Sequence, residues 1–289
     1  MRILVFGCTG QLGTSLMEVL PKTHNVRFLD QPDVDFTNPS SLRSIVTSYK
    51  PALVINAAAY TAVDNAESDK SVAYLINSEA PSVIASACKQ VNSIFIHYST
   101  DYVFSGSGTT PYQETDATSP STVYGRSKLD GEQAIIAATD RYIILRTAWL
   151  YSLVGKNFLK TMLGIAKDRS EICVVSDQIG SPTYAVDLAR ATSLIVDELS
   201  VSSDDKFGVY HAVNSGQTTW HGFASKILTL GGYTDVKVKA IMASEYATPA
   251  PRPQFSVLSC EKLNRVFGVA LPEWQDAVSR CMVRFVNNC

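Results

Sequence analysis

The sequence lacks the features that mark secreted, membrane and nucleic-acid-binding proteins. Its six cysteines include no Cys-x-x-Cys pair, and the chain is far longer than a small disulfide-stapled module, so we expect reduced thiols. No apolar run approaches the roughly 18 residues that cross a bilayer, and the first apolar stretch is too short for a signal peptide. With 25 basic and 27 acidic residues and no block of either sign, we expect neither nucleic acid nor a membrane as a partner.

The remaining composition is typical of an ordinary folded protein. Hydrophobic residues make up 46% of the 289 residues and charged residues 18%. This length is about twice the usual ~150 residues per domain, which predicts either two domains or one large domain with an appendage. The default location for such a chain is the cytoplasm.

The first 150 residues alternate short β-branched runs with longer helical patterns. This alternation predicts an α/β fold with a Rossmann-type, doubly wound parallel sheet. Central parallel strands have both faces buried and therefore form compact apolar runs, which here lie at residues 3–6, 26–29, 52–56, 93–98 and 142–147. The helical patterns cover residues 13–20, 39–49, 71–91 with an interruption at Pro81, and 123–138.

Residues 151–289 are less regular and predict a smaller C-terminal α/β lobe that binds substrate, while some later segments return to the first domain. Loops rich in Pro, Gly, Ser and Thr are predicted at residues 176–183, 214–219 and 247–253. A closing helix over residues 272–288 carries an apolar stripe that we expect to pack on the body of the protein, formed by Trp274, Val278, Met282 and Phe285.

A glycine loop follows the first predicted strand directly and opens a helix. Its glycines are Gly7, Gly10 and Gly13, and Asp30 ends the second predicted strand. Glycine lets the backbone approach a pyrophosphate, and the helix N-terminus offers that anion unpaired amides and a positive dipole end. A carboxylate at Asp30 suits the ribose hydroxyls of adenosine and repels a 2′-phosphate. The pattern predicts a site for NADH or NADPH and favours NADH.

Two further segments are candidates for cofactor contacts. Asp35 and Phe36 follow the second strand, where they are suited to hold adenine, although Asp35 is nearly as well placed to cap the helix after Asn38. The third strand ends in the small residues 57–59, which would let the backbone lie beside a bound cofactor; alanines are also favoured by core packing alone.

Three polar residues have the spacing of a proton-transfer site. Thr100 lies at the predicted end of the fourth strand, and Tyr124 and Lys128 share one face of the following helix. A tyrosine ionises near pH 10 unless a cation stabilises its phenolate, and Lys128 supplies that cation one turn along. A Tyr-x-x-x-Lys pair is also common on ordinary amphipathic helices. Its combination with the glycine loop and with Thr100 favours catalysis of proton transfer to a carbonyl.

Taken together, these residues resemble the extended short-chain dehydrogenase/reductase family, and the likeness runs almost from end to end. It rests on the segments at residues 6–13, 56–64, 97–104, 123–125 with Lys128, 146–151, 157–158, 161–162, 177–183, 218–220 and 248–253. The resemblance implies cofactor contacts at Gly10, Gln11, Leu12, Asp30, Asp35, Phe36, Ala59, Tyr60, Thr61, Tyr124 and Lys128. It implies substrate contacts at Thr100, Asp101 and Trp149.

The resemblance also implies a reaction, which is reduction of dTDP-4-dehydro-6-deoxy-L-mannose at C4 to dTDP-L-rhamnose with NADH or NADPH. Trp149 is suited to stack on the sugar, although an aromatic at this position could also belong to the core. Arg252 is suited to pair with the diphosphate, although it could be an ordinary surface arginine. One rival is a reductase or epimerase of another nucleotide sugar. Dehydration is disfavoured, because Tyr102 follows Asp101 where related dehydratases have an acid pair. Another rival is a non-catalytic NADP-binding subunit resembling the regulatory subunit of methionine adenosyltransferase.

The sequence departs from the family at a metal site. Some members dimerise through magnesium held by glutamates, but Ser15 stands at one of those positions, and residues 185–187 displace or lack the second carboxylate. A hard cation needs several oxygen ligands, so we predict no metal and a monomer or weak homodimer. The four histidines also lack metal-ligand spacing and are interpreted as packing or surface residues.

Overall fold

The computed structural model describes residues 1–20, 24–202 and 206–287. Its strands are β1 (Arg2–Phe6), β2 (Asn25–Leu29), β3 (Leu53–Asn56), β4 (Ile94–Thr100), β5 (Tyr142–Thr147), β6 (Leu150–Tyr151), β7 (Glu171–Val175), β8 (Ile179–Gly180), β9 (Thr183–Tyr184), β10 (Gly208–His211), β11 (Thr218–Thr219) and β12 (Lys237–Ile241). Its helices are α1 (Gln11–Val19), α2 (Pro39–Tyr49), α3 (Val63–Ala66), α4 (Lys70–Tyr74), α5 (Ala80–Gln90), α6 (Val123–Ala138), α7 (Phe158–Ile165), α8 (Ala185–Val201), α9 (Trp220–Leu230), α10 (Glu261–Phe267) and α11 (Trp274–Asn287).

A six-stranded sheet forms the centre of the molecule and confirms the predicted Rossmann-type class. Its order is β10, β5, β4, β3, β1, β2, and every neighbouring pair is parallel. From β1 the chain passes to β2 on one side and then to β3 on the other. Parallel sheets bind ligands in the crevice beyond the strand ends at such a reversal. The last strand, β10, comes from beyond residue 150 and pairs with β5.

Alternate residues of the strands fill two separate cores, one on each face of the sheet. In β1, Ile3 and Val5 pack with α1 and α8, whereas Leu4 and Phe6 pack with α2 and α5. All four side chains are fully buried. Helices therefore cover both faces, which explains why the strands form continuous apolar runs rather than alternating ones.

The long helix before β4 runs through Pro81, and its irregular part lies earlier than predicted. A π-helical turn at Leu75–Glu79 joins α4 to α5. Proline has no N–H to donate to the preceding turn, so the helix accommodates it by this local widening rather than by ending. The turn buries Asn77, whose side-chain oxygen accepts a hydrogen bond from the Tyr60 N–H at 2.9 Å.

The smaller lobe has its own core between α7, α9, α11 and the parallel pair of β7 and β12. The predicted stripe of the closing helix packs here, with Trp274, Val278 and Met282 buried and Phe285 partly buried. The predicted end of that helix at Asn288 lies outside the described residues. In the three ranges given above, no helix combines the length and apolar character needed to cross a membrane.

Candidate active site

A cleft of about 700 Å³ opens between the carboxyl ends of the parallel strands and the smaller lobe. It lies at the point where the strand order reverses, as expected for a ligand site in this architecture. The predicted residues Gly7, Gly10, Gln11, Leu12, Asp30, Ala59, Thr61, Thr100, Asp101, Tyr124, Lys128 and Trp149 all line it. Residues far apart in the sequence thus meet in one cavity.

The glycine loop forms one end of the cleft, and close contacts leave no room for a side chain at Gly7 or Gly13. A Cβ on Gly7 would lie 2.5 Å from the Ala58 nitrogen, and one on Gly13 would lie 2.0 Å from the Gly7 carbonyl oxygen. Gly13 therefore serves loop packing and does not line the cleft. Helix α1 begins after Gly10, which offers no side-chain cap to its first amides. Those amides suit the pyrophosphate of a dinucleotide.

The carboxylate of Asp30 is held at the mouth of the cleft by the glycine loop itself. Thr9 donates two hydrogen bonds to Oδ2, from its N–H at 2.8 Å and its hydroxyl at 2.7 Å. The Gln31 N–H donates to Oδ1 at 2.8 Å. These contacts set the orientation of an acceptor for ribose hydroxyls, and the role of Thr9 was not anticipated from the sequence.

Besides Gly13, three residues expected to contact the cofactor do not line the cleft. The Asp35 carboxylate instead accepts from the N–H and hydroxyl of Thr37, and this bonding lowers its pKa. Phe36 is buried against Phe6, with ring centroids 5.8 Å apart. Tyr60 turns its hydroxyl to Asp69 at 2.9 Å. In this structure these partners occupy the polar groups of Asp35 and Tyr60 and the ring of Phe36.

The three residues predicted for proton transfer converge in the cleft. Thr100 ends β4, and Thr122 caps α6 by accepting a hydrogen bond from the Gly125 N–H at 3.0 Å. This cap starts the helix so that Tyr124 and Lys128 face the strand end one turn apart. Burial raises the pKa of Tyr124 to about 12, so its phenol carries a proton at neutral pH.

Lys128 is almost completely buried beneath Tyr124. Its Nζ donates to the Tyr98 carbonyl oxygen at 2.6 Å and lies 3.1 Å from His97 Nε2. Burial lowers the pKa of Lys128 to about 8, against an opposing effect of Glu132. Burial and the neighbouring lysine also hold the pKa of His97 well below its usual range. His97, predicted from the sequence to be a packing or surface residue, does not line the cleft but contacts the lysine that does.

Polar groups at the strand ends remain available to a ligand. The Thr100 hydroxyl donates to Asp101 Oδ1 at 2.9 Å, and burial raises the pKa of Asp101 to about 6. Within the part of the chain that the structure describes, Asp101 Oδ2 and the hydroxyls of Ser99 and Thr147 are buried without hydrogen-bond partners. All of these residues line the cleft, so their unpaired groups favour a hydroxyl-bearing ligand there.

Two stacked tryptophans form the opposite wall. Trp149 has a left-handed backbone with φ of 46°, and its ring lies 3.5 Å from that of Trp220 at an interplanar angle of 7°. Phe158 extends the wall, with its ring 4.6 Å from Trp220. Gly180 admits this arrangement, since a Cβ there would lie 2.4 Å from the Trp149 indole. Trp220 belongs to the segment at residues 218–220 that carries the family resemblance, but the sequence did not predict a role for it in the site.

Arg252 does not line the cleft, and its guanidinium already has a partner. It donates to Asp64 Oδ2 at 2.7 Å and to the Ala250 carbonyl oxygen at 3.0 Å. Both Nη atoms of the guanidinium thus donate to the protein, whereas the predicted pairing with a diphosphate needs them free. The pair ties the loop of residues 247–253 to α3.

With this geometry in place, comparison with known proteins identifies the relatives of the chain. The RmlD substrate binding domain family matches residues 1–287. The chain belongs to this family. A curated dTDP-4-dehydrorhamnose reductase of Burkholderia thailandensis is 44% identical over 292 residues, which cover 98% of each protein.

Solved structures agree with this RmlD assignment. The crystal structure of a dTDP-4-dehydrorhamnose reductase from Clostridium acetobutylicum superposes with a TM-score of 0.93 at 38% identity, covering 99% of this chain and 100% of that one. The Bacillus anthracis dTDP-4-dehydrorhamnose reductase, solved in complex with NADP, superposes with a TM-score of 0.89 at 36% identity, covering 98% and 99%.

Ser15 and Asp187 lie at or beside the positions for which the resemblance implied magnesium ligands, and in this RmlD-family chain both make other contacts. The Ser15 hydroxyl donates to the Gln11 carbonyl oxygen at 3.1 Å. Both oxygens of Asp187 accept from Arg280, at 2.7 and 2.6 Å. Over residues 1–20, 24–202 and 206–287, no group of three or more His, Cys, Asp or Glu could hold a metal ion.

Proposed function

We propose that the protein is a dTDP-4-dehydrorhamnose reductase, which uses NADH or NADPH to reduce dTDP-4-dehydro-6-deoxy-L-mannose at C4 to dTDP-L-rhamnose. The observation that carries this proposal is the meeting of Thr100, Tyr124 and Lys128 in the same cleft as the glycine loop. The reductases reported above share this chain's full length, which supports the enzymatic reading over a non-catalytic binding subunit.

The cleft fits a reduced dinucleotide along one side and a sugar along the other. Unfilled amides of α1 suit the pyrophosphate, and the oriented carboxylate of Asp30 suits the ribose. When bound, the cofactor supplies the hydride for C4. The stacked Trp149 and Trp220 offer a flat apolar face to the sugar. We infer that the smaller lobe, which lies within residues 151–289 apart from segments such as α8 and β10 that return to the central sheet, binds the substrate at this wall.

The protein's own part of the reaction is proton transfer. With substrate bound, the Thr100 hydroxyl turns its one proton from Asp101 Oδ1 to the carbonyl oxygen and holds it, and Tyr124 gives its phenolic proton to that oxygen as negative charge develops. The raised pKa of Tyr124 keeps the proton in place until the reaction begins. Lys128 then returns a proton to the phenolate, and its lowered pKa makes it a better acid for that step.

Two further proposals concern the cellular compartment and the oligomeric state of the protein. We propose a cytoplasmic enzyme, because Cys8, Cys88, Cys173, Cys260 and Cys281 are free thiols, which suits a reducing compartment. We propose a monomer or weak homodimer, because Arg280 neutralises Asp187, the carboxylate nearest to a position for which the family resemblance implies a magnesium ligand at a dimer interface.

The test is the loss of reduced-nicotinamide absorbance with freshly generated dTDP-4-dehydro-6-deoxy-L-mannose. Tyr124→Phe removes the proton donor and is expected to lower kcat by roughly 10²–10⁴-fold. Cofactor binding, followed by fluorescence titration, should stay unchanged. Tyr142→Phe removes a hydroxyl from β5 outside the cleft and serves as the matched control. The assignment fails if the wild-type protein binds the cofactor but does not oxidise it with this sugar.

A further inference from the structure

Strand pairing places Asn56 and His97 side by side beneath the cleft. The two residues are register partners in the parallel pair of β3 and β4, and both are at most 1% exposed. Asn56 Nδ2 lies 3.2 Å from His97 Nδ1, and His97 Nε2 lies 3.1 Å from Lys128 Nζ. Asn56, His97 and Lys128 thus form a buried chain that ends at the lysine of the catalytic trio.

The backbone determines which way the Asn56 amide points. Its Oδ1 accepts a hydrogen bond from the Ala58 N–H at 3.1 Å, so the NH₂ end must face His97. An amide NH₂ only donates, and His97 Nδ1 must therefore be an acceptor. A neutral imidazole carries one proton, which in this arrangement belongs to Nε2.

This tautomer has a consequence for Lys128. The Nε2–H points at Nζ, but an ammonium group has three donors and no acceptor. Only the neutral amine offers a lone pair to the histidine, while its own N–H still bonds to the Tyr98 carbonyl oxygen. The hydrogen bonds of Asn56 and His97 are therefore complete only when Lys128 has lost its proton.

We propose that His97, with its tautomer set by Asn56, is a positioning residue that stabilises the neutral amine of Lys128 formed during turnover. The inference rests on the proposed function and deepens it. Tyr124 gives its proton to the reduced carbonyl oxygen, Lys128 gives one of its three ammonium protons to the phenolate, and the Lys128 lone pair accepts the His97 N–H. Lys128 later recovers a proton from water, so the protons balance.

Other charged and titratable groups around Lys128 do not supply the same effect. Glu132 on α6 favours the ammonium form, but Arg146 on β5 neutralises it. Tyr98 on β4 turns its hydroxyl away to Thr192 on α8, at 2.8 Å. Tyr124 is the group that accepts the proton from Lys128. Asp101, which directly follows β4, is hydrogen-bonded to Thr100.

The first test is independent of activity. In wild-type protein labelled with ¹⁵N in the histidine rings, the His97 signals should show a neutral ring with its proton on Nε2. His97→Gln, which deletes one set of signals, assigns them among the four histidines. A ring protonated on Nδ1, or a charged ring at neutral pH, overturns the proposal even if the reductase assignment stands.

The second test moves the tautomer. Asn56→Asp keeps the acceptor for the Ala58 N–H but turns the group facing His97 into an acceptor, which shifts the proton to Nδ1 and lets Nε2 accept from the ammonium. We expect the alkaline limb of the kcat profile to rise by about one pH unit or more, and kcat at neutral pH to fall roughly tenfold. The KM of the sugar should change less than about twofold.

Asn264→Asp, on the exposed face of α10, adds the same charge away from the cleft and is the matched control. Its alkaline limb should coincide with that of the wild-type enzyme. The proposal is overturned if Asn56→Asp binds cofactor normally and the alkaline limb of its kcat profile coincides with that of Asn264→Asp. An unchanged His97 tautomer in Asn56→Asp, seen in the same ¹⁵N spectra, is the second contrary outcome.

Discussion

Arg146 on β5 and Glu132 on α6 form a two-pronged ion pair that is sealed from solvent beneath the active-site helix. Arg146 Nε and Nη2 donate to the two carboxylate oxygens at 2.9 and 2.7 Å, and both residues are at most 4% exposed. Glu132 lies one turn beyond Lys128 on the same helix. The pair therefore holds the face of α6 that presents Tyr124 and Lys128 to the end of β4.

Removing one partner of this pair is expected to be costly. Arg146→Met leaves the Glu132 carboxylate buried without a counter-charge, which should lower the free energy of unfolding by about 3–5 kcal/mol. The double variant Arg146→Met with Glu132→Leu removes both charges and should recover most of that loss. Urea unfolding measures both. Lys237→Met breaks the exposed pair with Glu171 and should cost less than about 1 kcal/mol. A loss for Arg146→Met no larger than that of Lys237→Met would contradict the assigned role.

Asp30 is expected to set the preference between NADH and NADPH. Its carboxylate, oriented by Thr9 and Gln31, repels a 2′-phosphate at the ribose. Asp30→Ser should raise the ratio of kcat/KM for NADPH to that for NADH by roughly tenfold, or about 1.4 kcal/mol. Steady-state kinetics with both cofactors gives this ratio. Asp33→Asn removes a nearby charge outside the cleft and should leave the ratio as it is. Equal ratios in Asp30→Ser and wild type would refute the role of Asp30.

Trp220 is expected to support sugar binding by backing the Trp149 indole. Trp220→Ala removes a stacking partner at 3.5 Å, which frees the Trp149 ring and should raise the KM of the nucleotide sugar roughly tenfold. The KM of the cofactor should change less than about twofold, because the glycine loop is untouched. Initial-rate kinetics with each substrate varied in turn separates the two. The control is Phe285→Ala, which truncates a half-buried aromatic on α11. If Trp220→Ala raised the KM of the cofactor as much as the KM of the sugar, the role of Trp220 in sugar binding would be contradicted.

Asp101 makes folding stability depend on pH in an identifiable window. Burial raises its pKa from 3.8 to about 6, so between these values the native state binds more protons than the unfolded state. Stability from this group is fully present below pH 3.8 and is lost as the pH rises through 6, by roughly 3 kcal/mol in all. The difference in unfolding free energy between wild type and Asp101→Asn, measured by urea from pH 3.5 to 7, should follow that curve. The exposed Asp168→Asn should show no such slope, and a flat difference curve for Asp101→Asn would disprove the prediction.

Much of the fold was accessible from sequence because the signals are local. Compact apolar runs predicted β1 to β5. The helix predicted over residues 13–20 corresponds to α1, which begins two residues earlier, at Gln11, directly after Gly10. Tyr124 and Lys128 were recognisable because helical spacing alone puts them on one face. The contacts of Phe36 with Phe6 and of Arg252 with Asp64 could not be predicted, because these partners lie about 30 and 190 positions away in the chain.

Local chemistry in the chain was enough for the parallel α/β architecture, the glycine loop before α1 and the shared helix face of Tyr124 and Lys128, since each depends on neighbours a few positions away. Tertiary packing alone decided that Trp220 backs Trp149 and that Asn56 faces His97. It also decided that Arg252 pairs with Asp64. These contacts join distant segments whose approach depends on strand order and lobe packing, and no periodicity along a chain records which buried groups will meet.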